Sequence, residues 1–295
     1  MATAGTVVVA GALALGGWTE QPEPDLDDLL ARLGEYLVAY EGELSTVIAS
    51  ERYDQRETLE GNPNDVALRR RAGGRSRRLE SDVAFLRLPG HQEWLGLRDV
   101  RKVDGREVPG AATRLADLVR AAGDDVLARA DAIVAAGAEH NLGGPRSINM
   151  PSAPLEVLHP RHFPRFIFTL TGRDRIQGVA TVRMAFEEFE TPSLIQGTEG
   201  GDLLARGTVW VEAATGCLWR VELRVTPVVR DMRMRERLEQ VVRVDFARDA
   251  AVGLVVPSRM TEEFYVPGGR GIGEARYTNY RRFTTGARLV PPPGG

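Results

Sequence analysis

The chain has 295 residues, 43% hydrophobic and 27% charged, which excludes wholesale disorder and suits one large or two modest globular units. Its 38 basic and 41 acidic residues leave a net charge of −3, so no general attraction to nucleic acid or to an anionic membrane is expected. Cys217 is the single cysteine, which excludes an intramolecular disulfide, a CxxC pair and a cysteine zinc site.

The amino terminus reads as an export signal. Thr6 to Leu15 is apolar and uncharged, Ala12-Leu13-Ala14 has the small-x-small form of a signal peptidase site, and a polar stretch with proline follows. No Lys or Arg precedes the apolar run, so the signal lacks its basic start. Ten apolar residues are too few to cross a bilayer. A periplasmic or secreted protein without a transmembrane anchor is the expectation.

The first strong element starts at Asp25, a good N-cap, with Asp27 and Asp28 placed to meet the helix dipole. Leu26, Leu29, Leu30, Leu33, Leu37, Tyr40, Leu44, Val47 and Ile48 recur at three- and four-residue steps. That spacing predicts one long amphipathic helix reaching about Glu51. Strands follow over Leu79 to Leu88 and Glu93 to Val103, with an Asp104-Gly105 hairpin turn. The arginine-rich stretch Arg69 to Arg78 reads as a solvated loop entering a strand, since no aromatic residues interleave it as single-strand binding would want. Its other reading is a phosphate or lipid-headgroup patch. Helices are expected over Thr113 to Ala122 and Asp124 to Asn141, with a helical turn from Ser152 to Leu158.

From Pro164 onward, seven runs read as strands. Trp219, Val221, Leu223 and Val225 alternate with charged neighbours, as do Val242, Val244 and Phe246. Short connections and one apolar face per strand describe an antiparallel meander. The chain thus divides into a signal-like segment 1–18, a helical and hairpin region 19–160, a meander 161–285 continuous with it, and a tail 286–295 expected to be disordered. The fold class is α+β, with a long N-terminal helix and a helical middle segment packed on the meander.

No constellation specifies a chemistry. His159 and His162 flank Pro160, which breaks helical register, and no third metal ligand is near in sequence. His140 closes a helix, where its charge would meet the dipole. Glu187, Glu188 and Glu190 end a strand, and adjacent strand residues face opposite ways. Gly268 to Gly273 fits neither nucleotide-loop spacing and reads as a hairpin loop. No catalytic residue, metal site or cofactor is therefore assigned.

One family resemblance rests on Gly207 to Glu222 (GTVWVEAATGCLWRVE), then Val244-Asp245-Phe246, then Gly253 to Met260 (GLVVPSRM), and the closing strand Ala275 to Phe283. This order resembles the terminal hairpins of the LolA-like superfamily of periplasmic lipoprotein carriers, and uncharacterised exported bacterial proteins. The resemblance implies an incomplete barrel curled around helices, with an apolar concave face for acyl chains. Phe166, Phe168, Trp219, Val221, Leu223, Val244, Phe246 and Phe264 are the residues expected on that face. The functional expectation is a non-catalytic binding or carrier protein for a lipid, an acyl chain or a lipidated partner. The alternatives are a cell-envelope module that binds protein, and a hydrolase whose histidines and carboxylates converge only in space.

Overall fold

The computed structural model describes residues 25–59, 74–87, 94–120, 125–144, 146, 148–197, 201–228, 239–266 and 269–282. The signal-like segment, the tail and Arg69 to Arg71 lie outside them. Helix α1 spans Leu26–Leu44, and the Asp25 carboxylate accepts from the Asp27 and Asp28 amides at 2.8 and 3.2 Å. The helix stops about two turns before the expected end. Ser45 and Thr46 hydroxyls donate to the Gly42 and Glu43 carbonyls, both at 2.8 Å, and Val47 already pairs with Arg282. The apolar residues at 44, 47 and 48 fit a helical stripe, but β-branched Val47 and Ile48 find cross-strand partners, and pairing wins.

Strand β1 (Val47–Leu59) is followed by β2 (Ser76–Arg87), β3 (Trp94–Val103) and the short β4 (Arg106–Glu107). Asp104 and Gly105 hold φ of 50° and 79° between β3 and β4, the positive values that a two-residue hairpin needs. Helices α2 (Ala111–Arg120), α3 (Asp125–Glu139) and α4 (Ala153–Val157) come next, then a 3-10 turn over Pro160–Arg165. The meander is β5 (Phe166–Ile176), β6 (Val179–Glu188), β7 (Ile195–Gln196), β8 (Asp202–Val211), β9 (Leu218–Pro227), β10 (Gln240–Asp249), β11 (Leu254–Val266) and β12 (Gly269–Arg282). All pairings among the described strands are antiparallel, in the order β4-β3-β2-β1-β12-β11-β10-β9-β8-β6-β5, with β7 on β8. The sheet is open: β5 and β4 end the order and do not pair with each other. The first hairpins join the meander through β1 and β12.

The glycines at 269–273 belong to β12, not to a loop. Rings of Phe264 and Tyr53 press on Gly271 and Gly273, where a Cβ would collide with them. Glycine is used in this strand to admit rings from neighbouring strands.

Helix α1 covers the apolar face of the sheet. Leu29, Leu33, Leu37, Tyr40 and Leu44 are buried against Val209, Trp219, Val221, Val244 and Phe246 in one large core. Each such leucine contributes about 1.5–3 kcal/mol. The 3-10 turn is laid along α1 at Gly34, where Pro160 and Phe163 approach. A smaller apolar cluster occupies the opposite face: Ile48, Ala84 and Leu97 point away from α1 and meet Leu115, Leu118, Ala130 and Ile133 of α2 and α3. The middle helices therefore cover β2 and β3 from outside rather than joining α1 within.

The β8–β9 turn locks α1 in place. Gly216 has φ +72°, and a Cβ on it would strike the Arg32 carbonyl, while Arg32 Nη1 donates to the Ala213 carbonyl at 2.7 Å. Gly216→Ala is expected to cost about 2–4 kcal/mol, from backbone strain and the forced separation of turn and helix. Urea unfolding measures it; a change below 1 kcal/mol would mean that α1 docks independently of this turn.

Candidate functional site

Alternation along β1 puts Glu51, Tyr53, Gln55 and Glu57 on the same face as the core, and all four are buried. Polar side chains at inward positions require partners. Arg98 of β3 supplies the first, donating to both Glu51 oxygens at 2.6 and 2.9 Å and to the Asn149 carbonyl at 2.8 Å. Its guanidinium lies 4.7 Å over the Tyr53 ring. Burial pulls Arg98 down, but the charge and hydrogen bonds of Glu51 outweigh it, and its pKa ends above the usual arginine value.

Arg146 supplies the second partner. Its Nη2 donates to Glu262, Tyr53 and Gln55 at 2.8, 2.9 and 2.9 Å, and its guanidinium sits 3.8 Å over Phe264. The Tyr53 hydroxyl donates to Glu262. Burial, and then the neighbouring charge of Arg98, depress Arg146 to about 9. Burial, and then Glu51, hold Glu262 well above the usual carboxylate range. Two guanidiniums thus share one end of the inner face.

Beside this network a cleft of about 350 Å³ opens between β3, α3, the segment following α3, α4 and β7. Strands β3 and β7 lie far apart in sheet order, so the cleft sits in the gap where the curled sheet fails to close. Leu95, Val134, Ile148, Met150, Val157, Leu194 and Ile195 give it apolar walls. Arg98, Asn141, Arg146, Asn149, Glu156 and His162 add polar groups. An apolar hollow with a few convergent polar groups is the usual form of a small-molecule site.

A larger hollow of about 1050 Å³ is lined mainly by outward residues of β1, β2 and β9 to β12, and the inward Gln55 and Glu262 also border it. Its charges largely neutralise one another: Arg78 with Asp54 at 2.6 Å, Arg224 with Glu222 at 2.7 Å, Arg270 with Glu263 at 3.6 Å. It is a ladder of surface ion pairs, each worth little.

Seven of the eight residues expected on an acyl-binding face, Phe166, Trp219, Val221, Leu223, Val244, Phe246 and Phe264, are buried, and Phe168 is half-buried. Phe166 and Phe168 meet each other, Phe163 and Phe186 in edge-on and tilted contacts, at centroid distances from 5.1 to 6.5 Å. None of the eight lines the 350 Å³ cleft.

Three polar clusters named from sequence also find places. His159 and His162 converge with carboxylates: Nε2 of His159 is 3.6 Å from Glu41, and Nε2 of His162 is 3.3 Å from Glu156, which Arg161 also engages. Burial, then the Arg161 charge, lowers His159 below the usual histidine value. Glu188 points inward and accepts from the Leu194 and Ala205 amides at 2.9 and 3.1 Å, a structural task. Arg77 donates to the His140 carbonyl at 2.7 Å, and Arg78 pairs with Asp54. Cys217 is buried beneath α1.

Sequence reasoning passed over Arg98, Asn141, Arg146 and Asn149. Arg98 carried a signal, an arginine within a strand that also holds Leu95, Leu97 and Val100. Arg146 and the two asparagines lie in irregular chain, whose direction no periodicity gives.

No helix among the described residues is long and apolar enough to cross a membrane. No family model matches the chain, and no curated protein matches it. Solved structures do resemble it, again with the LolA-like proteins among them. A putative outer membrane lipoprotein-sorting protein domain from Vibrio parahaemolyticus is 11% identical, with TM-score 0.39 over 88% of this chain and 95% of that one. A DUF1329 family protein from Desulfovibrio piger is 10% identical, with TM-score 0.37 over 86% and 93%. A LolA superfamily protein from Nitrosomonas europaea is 8% identical, with TM-score 0.32 over 85% and 94%. At these TM-scores none of the three bears on what the cleft binds.

Proposed function

We propose that this chain is a non-catalytic binding or carrier protein of the cell envelope, for a lipid, an acyl chain or a lipidated partner. The observation that supports the reading is the cleft itself: an apolar-walled hollow at the open seam of a curved sheet, flanked by buried arginines. Its volume is at the low end of the ~300–1,000 Å³ typical of small-molecule sites, which suits one chain rather than several. Seven of the eight inner-face residues belong to this reading as the floor of the core that α1 covers, and Phe264 lies under Arg146. An acyl chain would reach them only by lifting α1 or the 3-10 turn.

Val134 tests the cleft directly, being 39% exposed on the α3 side of its wall. Val134→Trp is expected to weaken binding of a fluorescent single-chain fatty acid at least tenfold by filling the hollow, about 1.4 kcal/mol or more. Its unfolding midpoint is expected to stay near that of the parent, since the site is on the surface. Saturable binding that the tryptophan leaves unchanged would move the ligand elsewhere. If no lipid binds and none is carried through purification, the protein-binding envelope module becomes the better reading.

A further inference from the structure

Three buried side-chain atoms without hydrogen-bond partners belong to residues lining this one cleft: Nε of Arg146, Nδ2 of Asn149 and Oδ1 of Asn141. The Arg146 side chain is 5% exposed, and Asn149 and Asn141 are 6% and 7% exposed as residues. Buried polar atoms are nearly always satisfied, and each exception asks for an explanation. Two of these are donors and one is an acceptor. The donors include a guanidinium N–H, the type of group that binds oxyanions most strongly.

The unused donors at the site suit an oxyanion guest. Arg98 is matched by Glu51 at 2.6 Å and Arg146 by Glu262 at 2.8 Å, yet the Nε–H of Arg146 keeps no partner and is left for a guest. Glu156, the one carboxylate among the described cleft-lining residues, is already engaged by Arg161 and by His162 at 3.3 Å. The apolar walls from Ile148, Met150 and Val157 give a tail somewhere to lie while the polar end is held.

We propose that the cleft is a head-group subsite for a single-chain amphiphile ending in an oxyanion, a carboxylate or a phosphate. The Arg146 Nε–H and Asn149 Nδ2–H donate to the anion, and Asn141 Oδ1 accepts from a protonated oxygen where the head carries one. This rests on the lipid-binding reading above and adds that the head group, not only the chain, is recognised.

The test is titration calorimetry of the full, delipidated chain at pH 7.5 with decanoate, decyl phosphate and decanol, which share one tail. Decanoate or decyl phosphate is expected to bind at least tenfold more tightly than decanol, and the tighter of the two identifies the head group. Asn149→Leu removes a donor that has no partner, so it is expected to bring that ratio below threefold. The parent ratio needs no variant to fold. Equal affinities for all three would overturn the subsite, the orphaned atoms then being satisfied by water alone, and would leave the carrier reading standing. No binding of any of the three would remove both.

Discussion

Arg98→Met is expected to destabilise the protein by about 3–5 kcal/mol, because it strands the buried Glu51 carboxylate without its partner. Two short charge-assisted hydrogen bonds and a third to the Asn149 carbonyl are lost together. That is a large part of the roughly 5–15 kcal/mol available to a folded domain. The cost should come from the orphaned charge rather than from lost packing, since methionine keeps most of the stem. Arg98→Met combined with Glu51→Gln is therefore expected to recover at least half of the loss. Urea unfolding of the two variants decides it: a double variant no more stable than the single would place the cost in packing against Tyr53. The Asn149 segment should loosen as well, so fatty-acid affinity is expected to fall with Arg98→Met.

Phe246→Ala is the second large effect. Phe246 is fully buried under α1, with Val221, Val244 and Leu33 in the same core. Truncation of such a phenylalanine costs about 3–5 kcal/mol, from lost transfer energy and an incompletely collapsed cavity. The same variant separates two placements of a bound chain. With the chain in the seam cleft, fatty-acid affinity stays within twofold of the parent at temperatures where the variant is folded. With the chain on the inner face beneath α1, affinity changes severalfold, through the new cavity or the lost contact. Denaturant unfolding and calorimetry on one preparation give both numbers.

The contrast between these positions follows from how far each was legible in the sequence. Phe246 and its neighbours alternate with charged residues, and a period of two gives strand, face and burial together. Asp25 and the leucine spacing marked α1 equally well, although its end was misplaced because Val47 and Ile48 fit both periods. The Asp104-Gly105 turn is equally direct, since few residues accept positive φ there. The glycines at 269–273 misled for the opposite reason. They look like a loop until the rings of Phe264 and Tyr53 are seen pressing on them.

The candidate site was far less legible. Arg98 and Glu51 are 47 residues apart, and Arg146 and Glu262 are 116 apart. Each pair forms only because β1, β3, β11 and the segment after α3 converge at one end of a curled sheet. Likewise, the separation of the middle helices from α1, on opposite faces of β2, depends on which way Ile48, Ala84 and Leu97 point, and that follows from register.

The sequence by itself determined most of the element types, the antiparallel meander and the alternation of apolar with charged residues along its strands, because those are local or period-two properties. Only the tertiary structure decided that β1 closes onto β12, that α1 already packs over the inner face, and that the hollow lies instead at the open seam. The physical reason is that a cavity is what packing leaves over. Its place depends on the summed curvature and side-chain volumes of the whole sheet, which no local pattern in the chain records.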